Sequence, residues 1–272
     1  MKKLLALLTA ALLLVTGLAG CGSEEPAASN TSAPAQNADL AYVLDKGTLV
    51  VGITDFAPMD YQDADGKWIG FDADMATAFA KSLGVEVKFQ IIDWDNKAFE
   101  LDGKTIDVVW NGMTLTDEVK AAMDCSNPYC NNAQTVIVKA ADAAKYQTVD
   151  SVKGLKFAVE AGSAGQKQVV ALGAQYVEVV DQATALTEVK AGTADAAVID
   201  SLMAAAMVGE GTGYADLTYT VGLNSEEYGV GFRKGSGLVE KLNQFFKDSY
   251  ADGSMMATAK KYGVQASIIE QK

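Results

Sequence analysis

The 272-residue chain contains no histidine and one arginine, Arg233. The first absence excludes imidazole bases and histidine-based metal sites. The second leaves one guanidinium for any two-pronged grip on a carboxylate. Cysteine is scarce as well: Cys21, Cys125 and Cys130 are the three thiols. Without histidine, two cysteines supply half of a tetrahedral metal set, so no metal and no cofactor is expected. Cationic side chains are outnumbered, 22 to 35, and the formal net charge is −13. That balance argues against nucleic acid and anionic lipid surfaces as partners.

What is present begins with an export signal. Lys2 and Lys3 precede the apolar run "LLALLTAALLLVTGLAG", which suits a secretory h-region, so residues 1–20 are set apart from the fold. The run ends in Leu18-Ala19-Gly20-Cys21, small residues before a cysteine that resemble a bacterial lipoprotein cleavage site with lipid added at Cys21. Residues 21–40, rich in Ser, Ala, Asn and Pro, read as a disordered tether. In an exported chain Cys125 and Cys130 of "CSNPYC" can form a disulfide or stay free.

From Thr48 onward strands and helices alternate. "TLVVGI" is a short apolar run, and "FDADMATAFAKSLG" places Met75, Phe79 and Leu83 four apart on one helical face, with Asp72 able to cap its start and Gly84 its end. "VEVKFQII", "IDVVW", "AQTVIVK", "LKFAVE", "YVEVV", "DAAVID" and "YGVGFR" continue as strands, which makes the chain α/β. In "SGLVEKLNQFFKDSYADG", Leu238, Leu242, Phe245 and Phe246 form an apolar stripe. Four stretches fall at strand ends or helix starts, where open α/β sheets bind ligands: "TDFAPMDY", "WNGMTLTDE", "VEAGSAGQ" and "VIDSLM".

The order and spacing of these stretches, with "WDNKAFELDGKTIDVVWNGMTLT", "DCSNPYCNNAQTVIVK", "SVKGLKFAVEAGSAG" and "KAGTADAAVIDS", resemble the amino-acid receptors of ABC importers, the type II periplasmic-binding-protein-like family, over residues 45 to 265. The resemblance implies a two-lobed fold with a cleft between lobes: lobe 1 from 41–128 and 229–272, lobe 2 from 134–223, and crossings at 129–133 and 224–228. It implies that Phe56 and Trp94 pack on the ligand and that Gly112, Thr114 and Asp200 accept its α-ammonium; Asp55, Glu160, Ser163 and Ala164 lie in or next to the site-forming stretches and are expected at the cleft as well. A buried ammonium carries three donors and a full charge, so it needs such acceptors.

One position departs from the family pattern. Where the family reads T-x-E-R, with the arginine clamping the ligand carboxylate, this chain reads "TDEV" and has Val119. Arg233 reads as a strand residue away from the site. Either amides around Ser163 to Gly165, helped by Lys120, hold the carboxylate, or the ligand has none. Asp55, Asp60 and Glu160, with Asp200, make an acidic cleft and suggest a cationic amino acid or amine. The expectation is a monomeric, non-enzymatic binding lipoprotein on the outer face of the bacterial cytoplasmic membrane, delivering solute to ABC permease subunits. An enzyme on the same fold using cleft carboxylates, a dehydratase or lytic glycosidase relative, is the alternative. A sensory module acting through a membrane partner is a third.

Overall fold

The computed structural model describes residues 33–272, with side chains from residue 38. The expected export signal, Cys21 and the first part of the expected tether lie outside the described residues. The rest of the tether departs from expectation: α1 (Ala33–Lys46) is helical where residues up to 40 read as disordered.

The first lobe runs through β1 (Thr48–Ile53), a small hairpin of β2 (Tyr61–Gln62) and β3 (Trp68–Ile69), α2 (Phe71–Ser82), β4 (Glu86–Ile91), α3 (Lys97–Asp102), β5 (Val108–Thr114), α4 (Asp117–Ala122), β6 (Asp124–Cys125) and β7 (Cys130–Asn132). The second holds β8 (Gln134–Lys139), α5 (Val149–Val152), β9 (Lys156–Glu160), α6 (Ala164–Leu172), β10 (Gln175–Val179), α7 (Gln182–Ala191), β11 (Ala196–Asp200), α8 (Ser201–Met207) and β12 (Leu217–Gly222). The chain then returns to the first sheet through β13 (Glu226–Phe232) and closes with α9 (Leu238–Ala251) and α10 (Ser254–Lys261).

The two sheets have strand orders β4-β1-β5-β13-β6 and β10-β9-β11-β8-β12, and β7 also pairs with β13. Within them β1 is parallel to β4 and β5, and β9 is parallel to β10 and β11. The carboxyl ends of such strands open onto the crevices where α/β sheets carry ligands. The chain crosses between sheets after β7 and again before β13, and these two strands pair with each other, Asn132 opposite Glu226.

The elements follow from the apolar pattern. In the first lobe Leu49, Val51, Ile53, Phe79, Trp110 and Phe246 are buried together. In the second, Val136, Val138, Phe157, Val159, Val169 and Val198 form a core on the other sheet. Of the stripe on α9, Leu238, Leu242 and Phe246 are buried. Gly84 follows the last turn of α2 with φ +75°, as a helix end favours. Asp72 does not cap α2: the helix starts after Gly70, with no side-chain cap, and Asp72 is buried inside. It accepts hydrogen bonds from the Gly112 amide (2.7 Å) and the Tyr129 hydroxyl (2.7 Å) and so ties α2 to β5.

Arg233 is consumed by structure. Its guanidinium donates to Asp39 Oδ1 (2.6 Å), to the carbonyls of Leu101 and Ile106, and to Asp107 Oδ1 (3.1 Å).

The disulfide does not form: among the described residues Cys125 and Cys130 are both free. Their strands meet β13 at Gly231 and Tyr228, three residues apart. At about 3.3 Å per residue this separates the two backbones by roughly 10 Å, beyond what a disulfide spans. Alkylation of the unfolded chain without prior reduction should therefore label both residues. Peptide mapping that recovered Cys125 and Cys130 unlabelled and cross-linked would contradict this register.

Candidate functional site

A cavity of about 170 Å3 lies between the lobes, lined from the first by Phe56, Trp94, Lys97, Asn111, Gly112, Thr114 and Val119 and from the second by Glu160, Ser163, Ala164, Lys167, Gln182 and Asp200. Nine of the ten residues expected at the cleft converge here. The exception is Asp55, which is exposed and outside the lining; partial burial, then the charge of Asp181, raise its pKa. Asp60 also lies elsewhere: it is fully buried and accepts from Asn111 Nδ2 (2.8 Å). Burial, with Asp72 beside it, pushes its pKa well above the usual carboxylate range.

Asn111 holds the loop that carries Phe56, accepting from the Thr54 hydroxyl (2.8 Å) and amide (3.0 Å). Gly112, with φ +55°, lets the Phe56 ring lie against β5, because a Cβ there would sit 2.3 Å from Phe56 Cε1. Phe56 packs edge-on against Tyr228 with ring centroids 6.3 Å apart. Trp94 is buried in the 3₁₀ turn that leads into α3.

Asp200 ends β11 and is 4% exposed. Its Oδ1 accepts from Gln134 Nε2 (3.0 Å), from the Tyr228 hydroxyl (2.7 Å) and from Asn132, while Oδ2 accepts from Gln182. Each carboxylate oxygen offers about two acceptor positions, so Oδ2, with one donor, keeps room for a ligand donor. Burial, then the charge of Glu226, raise its pKa to about 7. Glu226 in turn accepts from Thr114 Oγ1 (3.0 Å), Asn132 (2.7 Å) and Gln134 (2.7 Å), which links the β5 end to the crossing strands.

Glu160 ends β9 and is 3% exposed, and its Oε1 has no hydrogen-bond partner among the described residues. Burial, with Asp200 and Asp181 nearby, pushes its pKa to about 8. A buried acceptor without a donor is costly until something donates to it. Ser163 caps α6, its hydroxyl accepting from the Gln166 amide (3.0 Å), and the first amides of that helix have no partner within it.

The lobes meet around the cavity. Lys167 Nζ of α6 pairs with Glu118 Oε2 of α4 (2.6 Å), which holds that carboxyl low. Lys97 Nζ donates to the Gly162 carbonyl (3.1 Å), and Gly162 itself faces Asp95. Val119 lines the cavity and is 9% exposed, so the arginine position of the family faces the ligand space as an isopropyl group. Lys120 is exposed and lines a separate surface groove with Leu115, Cys125 and Lys234, so it does not assist at the cavity.

Sequence reading missed Lys97, Lys167 and Gln182. Lys97 stands three residues after Trp94 in "WDNKAF", a motif read for its aromatic; Gln182 opens α7 with no motif around it. Among the described residues no cluster of acidic and thiol groups could hold a metal, and no helix is long and apolar enough to cross a membrane.

Two α/β lobes closed on a cavity with buried carboxylates, aromatic walls and a free helix start define a solute-binding protein of the two-lobed periplasmic type. Residues 49–265 match the bacterial extracellular solute-binding proteins, family 3, and the chain belongs to that family. It is 32% identical to the L-cystine-binding protein TcyJ of Escherichia coli over 82% of this chain and 85% of that protein. It is 30% identical to the arginine-binding extracellular protein ArtP of Bacillus subtilis, over 96% of this chain and 98% of that one. An ABC uptake transporter substrate-binding protein from Streptococcus pneumoniae with bound histidine shares the fold at a TM-score of 0.76, with 31% identity, over 85% of this chain and 98% of that chain. These relatives are binding proteins, which supports a non-enzymatic role.

Proposed function

We propose that this protein captures an α-amino acid with a donor-bearing, preferably cationic side chain between its lobes and delivers it to the permease of an ABC importer. The unpartnered Oε1 of Glu160, set in the same closed cavity as Asp200, carries the reading. An ammonium or guanidinium would supply the missing donors and offset the burial of both carboxyls. Phe56 and Trp94 would pack on the ligand, and Gly112 and Thr114 would join Asp200 at the α-ammonium. Closure is the working step, because ligand contacts to both lobes favour the state a permease can recognise. The crossings at 129–133 and 224–228 serve as the hinge. A lipid on Cys21 would hold the protein, as a monomer, to the outer face of the bacterial cytoplasmic membrane. Relatives named for arginine and cystine binding support the amino-acid class.

A thermal-shift screen against the common amino acids, polyamines and quaternary amines tests this. Ligand at about 100 times its Kd adds roughly 2.7 kcal/mol, which raises the Tm of a domain this size by roughly 5 to 10 °C. Basic and polar L-amino acids are expected to give such shifts and glutamate none. A larger shift with glutamate than with any cation would overturn the cationic preference, and silence from every α-amino acid would overturn the function.

A further inference from the structure

We infer that Lys97 receives the ligand's α-carboxylate in place of the arginine that Val119 displaced, acting beside the amide end of α6. The inference rests on the amino-acid reading above and names the group that completes its site.

Four observations converge on Lys97. The ammonium lines the cavity and donates to the Trp94 carbonyl (3.0 Å) and the Gly162 carbonyl (3.1 Å). An ammonium has three donors, so one remains for a ligand. Gly162 stands in the turn that feeds α6, so the charge sits next to the orphan amides that open that helix.

The other cations near the cleft are committed. Lys167 is paired with Glu118, Arg233 with Asp39 and Asp107, and Lys120 faces a different groove. Lys97 alone of the two cavity-lining lysines forms no ion pair among the described residues, and it lies over the Trp94 ring with Nζ 4.8 Å from the centroid.

Its surroundings leave the charge undercompensated. Burial pushes its pKa down to about 8, Lys167 pushes the same way, and Glu160, Asp95 and Asp93 only partly oppose them. A carboxylate arriving at the third donor would restore the balance.

Chemistry explains why the exchange is possible. Arginine offers a planar fork, whereas lysine offers a point charge that must be helped by other donors. The α6 amides are such donors, and they lie on the lobe opposite Lys97. The carboxylate would then bridge the lobes and reward closure.

The test is calorimetric titration with an amino acid found in the screen and with its α-carboxamide, which keeps the shape and removes the charge. Both are titrated into the natural protein, Lys97→Met, Val119→Arg and the double variant. Lys97→Met is expected to lower affinity for the amino acid by about 30- to 100-fold, in the range for removing one partner of a buried charge pair. The carboxamide should lose less than fivefold, the share that reflects the Gly162 contact across the lobes. Val119→Arg in the Lys97→Met background should recover at least tenfold for the amino acid alone.

Equal losses for the two ligands, with no recovery, would overturn the inference and leave Lys97 as a latch between the lobes. A loss below threefold on the amino acid would overturn it as well. Failure of every α-amino acid to bind the natural protein would instead bring down the functional reading on which it stands. The Tm of each unliganded variant, expected within a few degrees of the natural protein, separates these results from misfolding.

Discussion

Asp200→Asn is expected to lower amino-acid affinity by at least 100-fold, measured by titration calorimetry. The substitution is isosteric and removes the charge proposed to face the ligand's ammonium. Leaving one member of a buried charge pair alone costs about 3 to 5 kcal/mol, or roughly 150- to 4000-fold. The same change sets the new amide against the amide donors of Asn132, Gln134 and Gln182, so the unliganded protein should also melt several degrees lower. Affinity within threefold of the natural protein would remove Asp200 from the ammonium site.

The pH dependence follows with a definite sign. Asp200 and Glu160 have folded pKa values of about 7 and 8, above the usual carboxyl range near 4. The native protein therefore holds protons that the unfolded chain has already lost, and the unliganded protein should lose stability as pH rises from about 4 to 8. A cationic ligand favours the ionised carboxyls, so its binding should release protons and strengthen over the same interval. Calorimetry in buffers of different ionisation heat reads that release directly. A constant affinity from pH 5 to 8 would contradict the pairing.

Gly162→Ala is expected to hold the lobes apart. The position has φ +69°, and a Cβ there would lie 2.5 Å from Asp95 Oδ1 and 2.7 Å from Asp95 Cα. The first neighbour is a side chain that can move, but the second is backbone. The left-handed conformation costs alanine about 1 to 2 kcal/mol in stability, which the second lobe can bear. Closure bears the rest, because the clash arises only when Gly162 meets Asp95 across the cleft. Ligand affinity should fall about 10- to 100-fold while the chain stays folded. Small-angle scattering should show no contraction on adding ligand at concentrations that compact the natural protein. Contraction at unchanged affinity would show that the lobes close some other way.

The alternation of apolar runs such as "TLVVGI" and "DAAVID" with helical stretches such as "FDADMATAFAKSLG" was enough to place the chain in the α/β class. Residues that act through local backbone, such as Gly112 beside Thr114 and Ser163 at the start of α6, were legible because a turn or cap needs only its neighbours. Nine expected residues therefore met in one cavity. The departure at Val119 was legible too, since it is a difference in one position of a short motif.

Tertiary structure decided the rest. Asp55 and Asp60 flank Phe56 in sequence, yet one is exposed and the other fully buried, because the loop turns between them. Cys125 and Cys130 are five residues apart, and only their register on β13 shows that they cannot bond. Lys97, Lys167 and Gln182 reach the cavity from three helix starts. Sequence spacing determines which side chains share an element, because local geometry is periodic. Which elements converge, and which charges lose their water when they do, depends on how two sheets built from distant segments close on each other.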